Sequence, residues 1–334
     1  RYDYDDLNRL KTTIDALSGL GRQDFDAHGN LVAMVDPNIN RTSYSYDSSD
    51  RLTSRTSAAS SVIALEYNAR NLVALKTNAR GQTTTYHYDD TGLLASLINP
   101  DGTVSFTYDQ NGNLLTATDN TGTIEYQYDA LNRVIKYIDN LGNVIQYAYD
   151  ANGNLNTLTY PGGRQVQYNY DAADRLVEVT DWAGRVTAYE YDPNGRLVRT
   201  TYPNGASATY DYNEAGKLIQ IKEEDNSGNT ISKYNYTYDP SGNIIEEINH
   251  NENVPFTMNG AVMTYAADNR LATYNGQTVV YDADGNMTYG PLAGDMSNFT
   301  YDARGRLIGA GNTTYTYDAG NNRTGVREGI RQTS

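Results

Sequence analysis

The sequence predicts an all-β protein made of tandem antiparallel hairpins. Three observations predict it. An aromatic anchor, followed in most copies by aspartate, recurs in sixteen units, most of them 20 or 21 residues apart. A residue type that tolerates positive φ follows each anchor at a fixed offset. Each regular unit holds two tight turns, and no stretch has helical period.

The unit is plain in "YDQNGNL" at 108–114, "YDANGNL" at 149–155, "YDPNGRL" at 191–197 and "YDARGRL" at 301–307. Taking the tyrosine as anchor, the units begin at Tyr4, Phe25, Tyr46, Tyr67, Tyr88, Tyr108, Tyr128, Tyr149, Tyr170, Tyr191, Tyr212, Tyr238, Tyr265, Tyr281, Tyr301 and Tyr317. An aromatic stands two residues before the anchor in 12 of the 16 copies, with a polar residue between, as in Gln127, Asn169, Glu190 and Thr316. Residues two apart share a face of a strand, so this spacing predicts a strand with one aromatic and one wet face.

The residue after the anchor is Asp in 13 of 16 copies, and it starts a turn by accepting backbone N–H groups, an Asx-turn. Four residues after the anchor stand only Gly, Asn or Asp, which predicts a left-handed corner. An aliphatic residue two further on opens the return strand in 15 of 16 copies, Arg323 being the exception. The structural anchors are thus Tyr108, Asp109, Gly112 and Leu114; Tyr149, Asp150, Gly153 and Leu155; and Tyr191, Asp192, Gly195 and Leu197.

A second turn column follows at Gly81, Gly102, Gly122, Gly142, Gly163, Gly184 and Gly205, leaving strands of about six residues between turns. "LATYNGQTVVYD" reads as a short hairpin around Asn275-Gly276. The expected organisation is one array over residues 1–323 and a polar tail or new segment over 324–334. Two long steps predict insertions near 223–230 and 250–260 that leave the ribbon.

About 32 strands edge to edge cannot stay flat, because twist accumulates. A parallel β-helix fits poorly with two hairpin turns per unit. A β-propeller, the alternative, would need four strands per blade, and odd and even units would then differ. They do not, so one continuous spiralling ribbon is the favoured closure.

Composition limits the function. The net charge of −15 opposes nucleic-acid or anionic-membrane partners. No cysteine is present, which excludes disulfides and thiolate chemistry, and no two of His28, His87 and His250 have metal-ligand spacing. No apolar run reaches membrane-span length. The start "RYDYDD" falls inside a unit, so the chain reads as a piece of a longer protein.

The sixteen units in register resemble the YD repeats of the RHS family, which includes bacterial Rhs polymorphic toxins, wall-associated proteins, the BC shell of insecticidal toxin complexes and the teneurins. The resemblance runs from Tyr2 to about Arg323. It implies a β-ribbon wound into a hollow shell that encloses a C-terminal toxin domain, or, as in teneurins, an adhesive module. It implies a secreted or cell-surface bacterial protein whose partners are further repeats and a cargo. The Asp-Pro-x-Gly core motif of complete toxin shells has only look-alikes here, "DPNG" at 192–195 and "DPSG" at 239–242. Both fall on the turn columns and read as turns.

Other motifs have bland readings. "DTG" at 90–92 is a turn rather than a protease loop. "DANGN" at 150–154 and "DADGN" at 282–286 crowd oxygen atoms, but the spacing is not that of an EF-hand. The sequons at 235–237 and 298–300 are expected by chance in so Asn- and Thr-rich a chain. No catalytic residue, cofactor or metal site is expected. The functional expectation is a non-enzymatic shell segment, with a carbohydrate or cell-surface receptor binding module as the alternative.

Overall fold

The computed structural model describes residues 1–14, 19–239, 244–249, 261–266 and 268–329. Within them are thirty-three β-strands and no helix. The chain forms two compact units, Arg1–Ile124 with Met258–Ser334, and Glu125–Thr257.

In the first unit twelve strands, from Tyr2–Tyr4 to Leu114–Asp119, follow one another as antiparallel neighbours. Three short strands from Met263–Tyr265 to Gln277–Thr278 and six from Val280–Tyr281 to Arg323–Glu328 complete it. The second unit continues the pattern from Gly122–Tyr128, at its boundary, to Ile244–Asn249. Such uninterrupted neighbour pairing is incompatible with four-stranded propeller blades.

Both ends of every regular hairpin are turns, but the two ends differ. At the YD end the partners run Tyr149 to Leu155 and then Ala148 to Thr157, which leaves Asn156 unpaired as a β-bulge. The same shift recurs at Tyr108, Tyr128, Tyr170 and Tyr191. At the other end, called the lateral turn here, the register runs without a shift, as from Lys136–Ile138 to Val144–Gln146. Each YD hairpin therefore carries one local bend that its neighbour across the lateral turn lacks.

The core is thin, as a single sheet layer requires. Along Val144–Tyr149 and Gln165–Tyr170 the tyrosines are half-buried while Ala148 and Asn169 between them are exposed, the alternation expected of a strand. Fully enclosed side chains are few, and Ile124 and Asp318 are the largest.

Two expectations need correction. Residues 223–230 do not leave the ribbon. Strands Leu218–Glu224 and Thr230–Tyr238 pair from Gln220–Asn235 out to Glu224–Thr230, so the extra residues lengthen a hairpin. The reason lies in "DNSGN": Asp225 Oδ1 accepts from the backbone of Ser227 and Asn229, each over 2.8 Å, which is the repeated turn motif, here with a register shift between Glu223 and Glu224. Nor is 324–334 a tail throughout, since Arg323–Glu328 is the return strand of the last YD turn, paired with Thr313–Tyr317. The step at 250–260 lies outside the described residues.

Candidate functional site

The repeated turn is the unit from which the rest is assembled. At Asp109 the backbone N–H bonds the Asn113 carbonyl over 2.9 Å, and Gly112 N–H returns to the Asp109 carbonyl over 3.1 Å. This is a type I turn closed by a left-handed residue. Every described member of the Gly/Asn/Asp column has positive φ, including Asn132 at 61° and Asp174 at 58°. Asp109 Oδ1 accepts from the N–H groups of Asn111 and Asn113 at 2.9 Å, and Oδ2 accepts from Asn113 Nδ2 at 2.9 Å. Asp150 is held likewise by Asn152 and Asn154, and Asp192 by Asn194 and Arg196. The side-chain donation from Asn113 holds the Asp109 carboxyl below the usual carboxylate value, against the opposing effect of burial. At Asp192 the backbone donation from Arg196 acts first in the same direction.

Two kinds of contact then tie neighbouring units, one from the anchor hydroxyl and one from the Arg or Asn after the corner. The anchor hydroxyl donates to the carbonyl of the residue that opens the preceding unit's return strand: Tyr108 to Leu94 at 2.9 Å, Tyr149 to Val134 at 2.8 Å, Tyr191 to Leu176 at 2.8 Å. The Leu155 and Leu197 carbonyls receive Tyr170 and Tyr212 in the same way. The arginine after the left-handed residue bridges its own Asp and lies over the next anchor ring, as Arg133 does on Tyr149 at 4.3 Å and Arg196 on Tyr212 at 4.7 Å. Where Asn replaces Arg, it reaches the next corner instead: Asn154 Nδ2 donates to Asp174 Oδ1 over 2.8 Å.

The motifs with chemical look-alikes are engaged in these turns. Asp89 Oδ1 accepts from Thr91 N–H and Oγ1, so 90–92 is a turn. Asp192 is engaged as above, so 192–195 is a turn, while 239–242 lies largely outside the described residues. The Asp150 and Asp282 carboxylates face their own turn donors. Among the described residues no cluster of three metal-ligating side chains occurs. His28 Nδ1 lies 2.9 Å from Asp50 Oδ1, whose hydrogen bond raises the imidazole pKa. His87 is exposed beside Tyr86 and Tyr88, and His250 is outside the described residues.

A second set of contacts, within the first unit, had no sequence signal. Here YD turns of the later hairpins seat on lateral turns of the early ones. Asn269 Nδ2 donates to Asp36 Oδ2 at 3.0 Å, and Ser61 Oγ donates to the Ala283 carbonyl. Asp284 Oδ1 accepts Ala79 N–H at 2.7 Å and its Oδ2 pairs with Arg80 Nε, while Arg80 also donates to the Asp302 carbonyl at 2.7 Å. Ala303 N–H donates to Asp101 Oδ2 at 2.8 Å. Ala319 and Ile124 are buried at the far end of this row. The YD turn at 282–285 thus lies against two lateral turns, and Arg80 reaches two YD turns.

With this geometry in view, the likenesses are clear. The Teneurin YD-shell pattern matches residues 2–159, and the RHS Repeat pattern matches residues 149–186, 170–207 and 191–230. No curated protein matches the chain. Among solved structures, the Tc holotoxin pore of Photorhabdus luminescens aligns with 100% of this chain and 22% of its own, at 18% identity and a TM-score of 0.66. TcdB2–TccC3 without its hypervariable C-terminal region aligns with 100% of this chain and 22% of its own, at 18% and 0.65. TcdB2–TccC3 itself aligns with 100% and 25%, at 16% and 0.56. The chain therefore spans about a quarter or less of the length of these proteins, and the likeness is one of fold.

Proposed function

Because the chain belongs to the YD-repeat (RHS) family, we propose that it is a wall segment of a hollow, spiralling shell that encloses a C-terminal toxin domain in a secreted bacterial protein. In this reading it is structural, with no catalytic residue, and its partners are further repeats and the cargo of the same polypeptide. The sets Tyr108–Asp109–Gly112–Leu114, Tyr149–Asp150–Gly153–Leu155 and Tyr191–Asp192–Gly195–Leu197 hold the wall together. Their neighbours in the array over 1–323, and the return strand beyond it, do the same.

The observation that carries the reading is the bond from anchor hydroxyls such as those of Tyr108, Tyr149 and Tyr191 to the preceding repeat. It joins hairpins into one sheet rather than leaving them as separate modules, and the bulge in each YD hairpin adds a bend per repeat. A net charge of −15 favours a basic cargo. The test is protease protection in the full-length polypeptide. The segment after the repeats should resist digestion until the repeats are unfolded. Its cleavage at the rate of an unfolded chain, with the repeats still folded, would leave the adhesion or carbohydrate-binding alternative.

A further inference from the structure

We propose that a cavity in the first unit, walled by Arg55 and Lys76, binds a small organic anion that carries two acidic groups, carboxylate or phosphate. The proposal goes beyond encapsulation and does not depend on a cargo.

The first observation is a break in the repeat. The residue paired across the hairpin with the position two before each anchor shares the sheet face of the tyrosine rings. In nine of the eleven units from Tyr4 to Tyr212 that residue is uncharged, as are Leu158 opposite Tyr147 and Val179 opposite Tyr168. The two exceptions fall in consecutive units: Arg55 opposite Tyr44, and Lys76 opposite Leu65.

The second observation is where these cations lie. Both line a cavity of about 670 Å³, inside the range of roughly 300–1,000 Å³ found for small-molecule sites. Lys76 is half-buried, and among the described residues neither it nor Arg55 has a carboxylate partner. A partly dehydrated ammonium is ordinarily paired, so a ligand anion would complete this one. Tyr44, in the same wall, donates its hydroxyl to Met34 Sδ over 3.6 Å, a weak acceptor that an anionic oxygen would displace.

The third observation selects the ligand. The chain carries a net charge of −15, yet five cationic side chains and three carboxylates line this cavity. The carboxylates are already engaged: Asp268 with Arg270 at 2.6 Å, Asp284 with Arg80, and Asp36 with the side-chain amides of Asn40 and Asn269. The fifth cation, Arg304, donates to the Ala319 carbonyl at 3.3 Å. Arg55 and Lys76 are left without a counter-charge. They stand two strands and two residues apart, about 12 Å between Cα atoms by sheet geometry. That spacing suits two acidic groups of one molecule better than a single phosphate, and Ile63 in the same wall offers an apolar surface to its carbon skeleton.

Isothermal titration calorimetry with suberate and with fructose bisphosphate tests the dicarboxylate and the bisphosphate separately. At least one should bind with a Kd below about 1 mM at low salt, and more weakly as salt rises. Binding of one alone identifies which acidic group the site takes. Arg55→Gln and Lys76→Gln should each weaken that binding about tenfold, while Arg55→Lys should keep most of it. Lys136→Gln removes a cation from the opposite sheet face, beside Gln127, and should change nothing. Arg55 and Lys76 have no partner to lose, so the variants should melt as the parent does without ligand. Absence of binding by both anions would overturn the proposal. So would a loss in Lys136→Gln as large as in Lys76→Gln, or equal affinity for inorganic phosphate, which would mean an adventitious ion only.

Discussion

The phenol of Tyr149 donates to the carbonyl oxygen of Val134 over 2.8 Å, and Arg133, beside that carbonyl's residue, covers the same ring. Hydroxyl and ring can be separated by mutation. Tyr149→Phe should lose about 1 kcal/mol, the net value of one hydrogen bond, while Tyr149→Ala should lose about 3 kcal/mol with the ring as well. Denaturant melts measure both, and equal losses would show that the hydroxyl carries nothing.

Position 25 offers the reverse experiment. Phe25 has the arginine above it, with Arg9 at 4.5 Å, but no hydroxyl to bond the preceding strand. Phe25→Tyr should add up to about 1 kcal/mol by reaching the Leu10 carbonyl. A neutral or destabilising result in the same melt would count against the bond as the reason for tyrosine.

Acid should loosen the array through its turns. Asp109, Asp129, Asp171 and Asp192 all titrate below the ordinary value of 3.8, through donation from the residues that close their turns. A depressed folded pKa means stability that is present above the unfolded value and lost as pH falls through the folded one. Melting temperature should therefore hold down to about pH 4 and then drop as these carboxylates protonate. Asp109→Asn should flatten that drop slightly, which a pH series of circular dichroism melts would detect.

Ile39 occupies a corner that its side chain resists. Its φ is 67°, it is β-branched, and it is 83% exposed, so no contact repays the strain. Ile39→Gly should stabilise by about 1 kcal/mol, whereas Gly112→Ala, at φ 83°, should destabilise by a similar amount. Opposite signs in one set of melts would support the corner assignment.

Asp284 is the centre of the contact between early and late hairpins. Asp284→Ala removes acceptors for Ala79 N–H, Arg80 N–H and the Arg80 guanidinium. The cost should be about 2–3 kcal/mol, and a cycle with Arg80→Ala should show about 1 kcal/mol of it as coupling, the share of the guanidinium pair. Additive losses would mean that the two residues act separately.

Much of this was legible in the sequence because the repeat compares each column with itself. The Tyr, Asp, Gly and Leu columns have one physical role in every copy, so Asp109, Gly112 and Leu114 could be placed on turn and strand from their offsets alone. Bonds between units were less visible, although two signals existed. Thirty-one tyrosines against four phenylalanines imply a working hydroxyl, and the alternation of Arg and Asn after the corner implies a shared acceptor. Asp225 was misjudged because a charged, Gly-containing stretch looks like a loop, yet it holds the same turn motif. The pairing of Arg80 with Asp284 could not be read at all, since a local period says nothing about contacts across 204 residues.

The reach of the tyrosine bond has a mechanical side. These bonds span between 10 and 20 residues, so a repeat is held mainly by its neighbours, as in a one-dimensional chain of coupled spins. Tension on such a strip peels one hairpin at a time from the free end. Each released unit of 21 residues pays out roughly 70 Å of chain, giving a sawtooth of small, near-equal forces instead of one large rupture. The clasp between Arg80 and Asp284 interrupts that sequence, because it closes a loop of 204 residues and shields everything inside it from the load until it opens.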